Sequence, residues 1–185
     1  HVNPSDEFLL EDVNGDGRAD LIVRNPYNDI YIAFAQYDSS ISGGFTGFEF
    51  WSLTFSPSSL TNSSILLAGD INGDNKADLA VISPSGSIVV HMKTNTSFST
   101  SSAINITPIQ EAHLADVTGN GNMEIVCRRS NGYLTVIRFN NGFYSWTSPC
   151  VVFNPPDKMF LADVNGDGAV DHQDILCVLN YIRNQ

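Results

Sequence analysis

The sequence predicts an all-β chain of four-stranded repeats, β-propeller-type blades, three of them full and a fourth partial and ending in a helix. Three observations carry that expectation. An acidic, glycine-bearing loop recurs four times, opening at Asp12, Asp70, Asp116 and Asp163, at intervals of roughly 46 to 58 residues that fall in the range of propeller blades. Paired runs rich in Val, Ile, Leu, Tyr and Phe follow each of the first three loops. Clusters of Asn, Pro, Ser and Gly separate the runs of each pair, as hairpin turns require.

In chain order, each repeat begins with a short apolar strand ahead of the first Asp: "FLLED", "LLAGD" and "HLADV". After the loop come "ADLIV" and "DIYIAF", then "ADLAVI" and "SIVVHM", then "MEIVC" and "YLTVIRF", with "RNPYND", "SPSGS" and "RRSNG" as turns. A closing run, "FEFWSLTF", "SAINIT" or "PCVVF", supplies the fourth strand. The expected repeats span about 8–57, 66–108 and 112–155. A sheet of this kind has two faces to bury and covers neither alone, so the repeats must stack. Closed propellers usually have about four to eight blades. Three full repeats therefore imply an excerpt of a larger propeller, an open stack, or completion by partner chains. Self-association is one expectation, and a head-to-tail contact that does not close would give fibrils.

The loops point to a hard cation, because residues 1, 3, 5, 7 and 9 of such a turn present oxygen toward one centre, as calcium requires. The first loop offers Asp12, Asn14, Asp16, the Arg18 carbonyl and Asp20, and the second Asp70, Asn72, Asp74, the Lys76 carbonyl and Asp78. The third is a degraded copy with Asp116, Thr118, Asn120, the Asn122 carbonyl and Glu124, expected to bind weakly or not at all. The fourth carries Asp163, Asn165, Asp167, the Ala169 carbonyl, Asp171 and Asp174, with Gly168 at the sharp turn. An Asp- and Gly-rich turn without metal is the plainer alternative. Against it, so many acids in one short loop repel one another without a counter-ion. The expected cofactor is therefore Ca²⁺, at three or four sites.

The patterns "DVNGDGRADLIV" and "DINGDNKADLAV" resemble the FG-GAP/VCBS repeats over roughly residues 8 to 160. The resemblance implies calcium-binding β-propellers of extracellular proteins, among them integrin-like heads, lectins and some polysaccharide-active enzymes. Only the metal loops carry over by residue. The last copy departs: "HQDILCVLNYIRNQ" places Ile175, Leu176, Val178, Leu179 and Ile182 on one helical face. Residues 160–185 thus look like one segment of a dockerin, and a helix capping the stack is the blander reading.

The formal net charge of −11 disfavours nucleic acid and anionic membrane as partners. Twelve of the 20 acids lie in the loops, leaving eight against nine Lys and Arg, so the acidity belongs to the expected metal sites. No run is long enough to cross a membrane as a helix. No signal peptide is visible, so a secreted protein would be present here in mature form or as an excerpt. Loops of this type fill where calcium is plentiful, which argues for an extracellular or cell-surface protein. Three sequons, at Asn62, Asn95 and Asn105, fall in Ser/Thr-rich connections and are permissive for N-glycosylation. Cys127 and Cys150 share a repeat and are candidates for a disulfide, whereas Cys177 reads as a buried thiol.

Three functional classes follow. The first and preferred is a non-catalytic extracellular module with a structural, adhesive or glycan-contacting role. Trp51, Phe143, Tyr144 and Trp146 are candidates for sugar stacking, although aromatics in such runs more often pack between sheets. The second is a polysaccharide-active enzyme. No catalytic motif supports it, His91 and His113 read as structural, and acids such as Glu11, Glu49 and Glu111 cannot be paired from sequence. The third is a dockerin-type assembly module, which needs a second loop-helix segment.

Overall fold

The computed structural model describes residues 3–49, 53–101, 103–140, 142–152 and 159, with backbone alone at 53–54 and 148–152. The fourth loop, the helix expected after it, Trp51 and Cys177 lie outside the described residues.

Every regular element among the described residues is a β-strand. Repeat 1 contains β1 (Glu7–Glu11), β2 (Asp20–Arg24), β3 (Ile30–Ala33), β4 (Ala35–Tyr37), β5 (Phe45–Phe48) and β6 (Leu53–Phe55). Repeat 2 contains β7 (Ile65–Gly69), β8 (Asp78–Ile82), β9 (Ser87–Lys93), β10 (Phe98–Thr100) and β11 (Ile104–Asn105). Repeat 3 contains β12 (Ile109–Ala115), β13 (Glu124–Arg129), β14 (Tyr133–Phe139) and β15 (Phe143–Val152). Each repeat forms its own antiparallel sheet, in the orders β1-β2-β3-β6, β7-β8-β9-β10 and β12-β13-β14-β15. None of the sheets closes on itself.

Three details differ from the sequence expectation. β4 and β5 form a separate two-stranded hairpin between the third and fourth strands of repeat 1. β4 begins just after Phe34 and β5 ends just before Glu49, whose amide donates to the Phe34 carbonyl at 2.9 Å. In repeat 2 the run "SAINIT" supplies only the short β11, and the outer strand proper is β10, which the sequence reading did not assign. In repeat 3 the outer strand starts at Phe143, so "FYSW" is strand and pairs with Phe139 to Val136.

The sheets pack face to face in series. Repeat 2 lies in the middle, which is why all five residues of β8 are buried and why the strand reads as a continuous apolar run after its Asp. Between repeats 1 and 2, Val13, Ile22, Ile30 and Ile32 meet Leu66, Leu79 and Val81. Between repeats 2 and 3, the corresponding Ile71, Ala80, Ile88 and Val90 meet Ala112, Ile125, Cys127 and Ile137. Complete burial of a Val, Leu or Ile side chain is worth about 1.5–3 kcal/mol. These two interfaces are therefore what makes sheets of four short strands stable.

A paired charge guides the chain from repeat 1 to repeat 2. Buried Arg24 binds Glu7 at 3.0 Å and donates to the carbonyls of Thr61, at 2.6 Å, and Ser64, at 3.0 Å, in the connection leading to β7. Repeat 3 places Arg128 beside Glu111 in the same way, at 3.1 Å, and Glu111 accepts the amide of Met159 at 3.2 Å. Repeat 2 has Ile65 opposite Ile82 at this position and so carries no such pair.

Candidate functional site

The three described loops sit between the first and second strands of their sheets and share one hydrogen-bond scheme. In the first, the Asp12 carboxylate accepts the amides of Gly15 at 2.7 Å, Asp16 at 3.1 Å and Gly17 at 2.6 Å. Asp16 in turn accepts the Arg18 amide at 3.0 Å and is paired with the Arg18 guanidinium at 2.6 Å. In the second, Asp70 accepts Gly73, Asp74 and Asn75, and Asp74 accepts Lys76. In the third, Asp116 accepts Asn120 and Gly121, and Asn120 accepts Asn122. Asn14 also caps Asp16, at 2.8 Å, and Asn72 reaches toward Asp78 at 3.4 Å. The sharp turns need residues at positive φ: Gly15 and Gly73 both lie near +80°.

The last acid of each loop behaves differently from the rest. Asp20, Asp78 and Glu124 are fully buried. Asp20 accepts the amides of Val13 at 3.0 Å and Ala35 at 2.9 Å, and Asp78 those of Ile71 at 3.2 Å and Lys93 at 2.7 Å. Asp20 therefore ties the start of its loop to the first residue of β4, just beyond β3, and Asp78 ties the start of its loop to the end of β9. Glu124, one methylene longer, accepts the Val117 amide at 2.8 Å and spends its other oxygen on the Thr118 hydroxyl at 3.1 Å. Burial raises the pKa of all three, and the other loop carboxylates raise it further. Asp78 is pushed up to about 7.

Successive loops are joined through their main chains. The Asp12 carbonyl accepts the Ala77 amide at 2.7 Å, and the Asp70 carbonyl accepts the Met123 amide at 2.8 Å. Gly73 lies so close to Asn122 that a Cβ there would collide with the amide side chain. The loops thus form a contiguous row.

The donor set of each of the first two loops, three carboxylates, an Asn and a backbone carbonyl, is all oxygen and suits a hard cation. The mutual effect of these carboxylates on Asp20 and Asp78 is what a cation would relieve. Among the described residues no three Asp, Glu, His or Cys side chains converge on one point. Asp12, Asp70 and the buried acids point their oxygens at backbone amides instead.

The remaining expected residues fall as follows. Asn62, Asn95 and Asn105 are all exposed. Cys127 is a buried free thiol, its pKa pushed up to about 12 by burial, while the side chain of Cys150 lies outside the described residues. Phe143 packs with Phe139 against the core, as expected for a sheet-packing aromatic. Tyr144 and Trp146 do not: they are exposed on the outer strand of repeat 3, where no neighbouring sheet covers them among the described residues. Of the candidate acids, Glu111 is held by Arg128, and Glu49 lies 3.3 Å from the Gln36 amide. His113 stands 3.4 Å from Glu111. His91 is buried, its Nδ1 3.1 Å from the Thr100 hydroxyl and its ring edge-on to Phe55. The Glu–Arg pairs were missed from sequence. Their signal was present, since Glu7 and Glu111 each stand five residues before the first Asp of a loop and Arg24 and Arg128 each four residues after the last acid.

One family pattern, described as an FG-GAP-like repeat, matches residues 12–81 and 70–127. A search among curated proteins returned no match. Among solved structures, the chain is similar to one from Agrocybe aegerita, described as a lectin with specific recognition of non-reducing terminal N-acetylglucosamine. The TM-score is 0.53 and the identity 14%, with 78% of this chain and 43% of the other covered. The chain thus spans less than half the length of that protein, and the likeness is one of fold.

Proposed function

Since the chain belongs to the FG-GAP-like repeat family, we propose that it is a non-catalytic, calcium-binding repeat module of propeller type that acts outside the cell or on its surface. The observation that carries this reading is the row of loops with one hydrogen-bond scheme, each rich in carboxylate and each linked to the next through the main chain. Calcium is held in the first two loops by Asp12, Asn14, Asp16, Asp20 and the Arg18 carbonyl, and by Asp70, Asn72, Asp74, Asp78 and the Lys76 carbonyl. The third loop, with Asp116 and Glu124 as its only charged oxygens, binds more weakly. A bound cation removes the repulsion within each loop and stiffens the row, so its role is structural. Calorimetric titration of chelator-treated protein with calcium tests this: two or more binding events with a rise in melting temperature are expected, and the absence of both would end the calcium reading.

The module's surface contacts glycan. Exposed Tyr144 and Trp146, two residues apart on β15, support this reading, because flat aromatic faces stack on sugar rings. The lectin with a similar fold supports it too. A glycan array with the parent and with Tyr144→Ala and Trp146→Ala provides the test: retention of parent-like binding by both variants would remove these aromatics from the site. The exposed sequons at Asn62, Asn95 and Asn105 are compatible with an extracellular glycoprotein. The enzyme alternative loses ground at Glu111, whose oxygens serve Arg128 and the Met159 amide.

A further inference from the structure

The first two loops share a donor set but differ in what the side chain of the seventh residue does. Arg18 and Lys76 hold the same place, and each offers the ion its main-chain carbonyl, so the side chain is left for another use. Arg18 turns back on its own loop: its guanidinium meets Asp16 at 2.6 Å, with the two side chains 43% and 29% exposed. Both oxygens of Asp16 are thereby taken by neighbours, Oδ1 by the Arg18 amide at 3.0 Å and Oδ2 by the guanidinium and by the Asn14 side chain at 3.2 Å. Lys76 runs the other way. Its stem lies against Gly15 of the first loop, and its ammonium donates to Asn95 at 3.3 Å. Asp74 accordingly accepts only the Lys76 amide among the described residues.

A second contact holds Arg18 where it is. The guanidinium lies over the ring of Tyr37, 5.2 Å from its centroid. Tyr37 ends β4, in the hairpin that only repeat 1 carries among the described residues. Its ring rests on the turn of that hairpin, where Gly44 stands at φ +66° and a Cβ would collide with the ring. The Asp38 amide closes this turn by donating to the Gly44 carbonyl at 2.7 Å. Tyr37 faces Phe45 across the two strands, and Tyr37, Phe45 and Phe48 are all exposed. A guanidinium set between a carboxylate and an aromatic face is favoured on both sides, by charge and by the ring quadrupole. The contacts thus run from Asp16 through Arg18 and Tyr37 to Gly44, out of the first loop and into the hairpin.

We propose that Arg18 is an internal cation that competes with calcium for Asp16, so that the first loop binds the ion less tightly than the second and its filling releases the guanidinium from the β4–β5 hairpin. The inference rests on the calcium reading of the loops and adds to it a residue that sets affinity. A divalent ion drawing on Asp16 repels the guanidinium and takes the oxygen that it holds. Arg18 then leaves Asp16, and its stack on Tyr37 loses the carboxylate that oriented it. The second loop has no such competitor, because the Lys76 ammonium is engaged at Asn95. Calcium therefore orders the loop row and loosens the hairpin, which makes the position of an exposed aromatic surface depend on the ion.

Calorimetric titration with calcium tests this one loop at a time: Asp74→Ala weakens the second loop and isolates the first, and Asp16→Ala does the reverse. In the Asp74→Ala background, Arg18→Gln should raise the affinity of the first loop about tenfold, through loss of the pair and of one positive charge. In the Asp16→Ala background, Lys76→Gln should change the second loop by less than about threefold. Tyr37→Leu is the sharper probe, since it leaves every charge in place and keeps apolar bulk against Gly44. It should raise the affinity of the first loop about two- to fivefold and add nothing when Arg18→Gln is already present. Amide hydrogen exchange is the second readout: calcium should slow exchange in residues 12–20 of the parent and quicken it in residues 35–48, with no quickening in Arg18→Gln. That comparison decides alone should Tyr37→Leu disturb the hairpin. Equal gains from Arg18→Gln and Lys76→Gln would overturn the proposal, as would a folded Tyr37→Leu variant with parent-like affinity or a hairpin whose exchange calcium leaves unchanged. Failure of the parent and all variants to bind calcium would refute the metal reading and this proposal together, whereas binding with affinities unchanged by Arg18→Gln would overturn this proposal alone.

Discussion

The main-chain carbonyl of Asp12 accepts the amide of Ala77 at 2.7 Å, across the boundary between repeats 1 and 2. Asp12 opens the first loop and Ala77 precedes the last acid of the second, so the shape of one loop sets the position of the next. The pairing of Asp70 with Met123 repeats the arrangement one step along. Adjacent loops are therefore coupled through these hydrogen bonds as well as through the cores that Val13 and Ile71 enter.

Removal of an outer carboxylate should act only through the metal. Asp74 accepts no more than its local Lys76 amide and is exposed. Asp74→Ala is expected to lower the melting temperature in saturating calcium by several degrees, and Asp16→Ala likewise, because weaker binding to the native state weakens the linkage. In chelator each variant should melt with the parent. Scanning calorimetry in the two conditions checks this, and equal melting in calcium as well would take the ion out of the account.

The buried acids predict the opposite contrast. Asp78→Ala deprives the amides of Ile71 and Lys93 of their partner inside the protein. Each buried donor left unsatisfied costs about 1–3 kcal/mol, so the variant should be destabilised with or without calcium. Asp78→Asn keeps one acceptor oxygen and should fall between. Denaturant unfolding in chelator measures it; a stability of Asp78→Ala equal to the parent would show that these hydrogen bonds contribute nothing.

His91 gives the chain an acid-sensitive point. Burial lowers its pKa below the usual histidine value, and its Nε2 has no hydrogen-bond partner. A folded-state pKa below the unfolded one means that the unfolded chain binds the proton more readily. The stability tied to neutral His91 is thus full above about pH 6.5 and is lost as pH falls through that value toward the depressed one. His91→Gln should flatten this part of the profile between about pH 7 and 5. If unfolding free energies of parent and variant change in parallel over that range, His91 is not the source.

Cys127 should be inert in the native protein. It is fully buried in β13 and its thiol pKa of about 12 leaves almost no thiolate at neutral pH. Labelling with a thiol reagent at pH 8 is expected to reach Cys127 only after addition of denaturant, as read by peptide mass mapping. Rapid modification without denaturant would mean that the sheet packing around it opens readily.

The repeat and its loops were legible in the chain because both rest on local rules. A turn carrying Asp, Asn and Gly at fixed spacing, followed by alternating apolar runs, reads the same way whatever surrounds it. Asp12 and Asp20 looked alike at that level, two acids of one loop. Only the packed structure separates them, because Asp20 lies where the second strand meets the buried amides of Val13 and Ala35 and Asp12 lies at the surface. The β4–β5 hairpin was likewise hidden in "AFAQYDSSISGGFTGFEF", whose short strands lack a buried alternating pattern. Tyr144 and Trp146 read as core because aromatics in strands usually are, yet their exposure depends on whether another sheet lies opposite. Spacing along the chain thus determined which residues form strands and oxygen-rich turns. Which faces meet, which acids are buried and which apolar rows stay open were decided by the stacking of the sheets, a relation between residues too far apart in sequence for any local period to record.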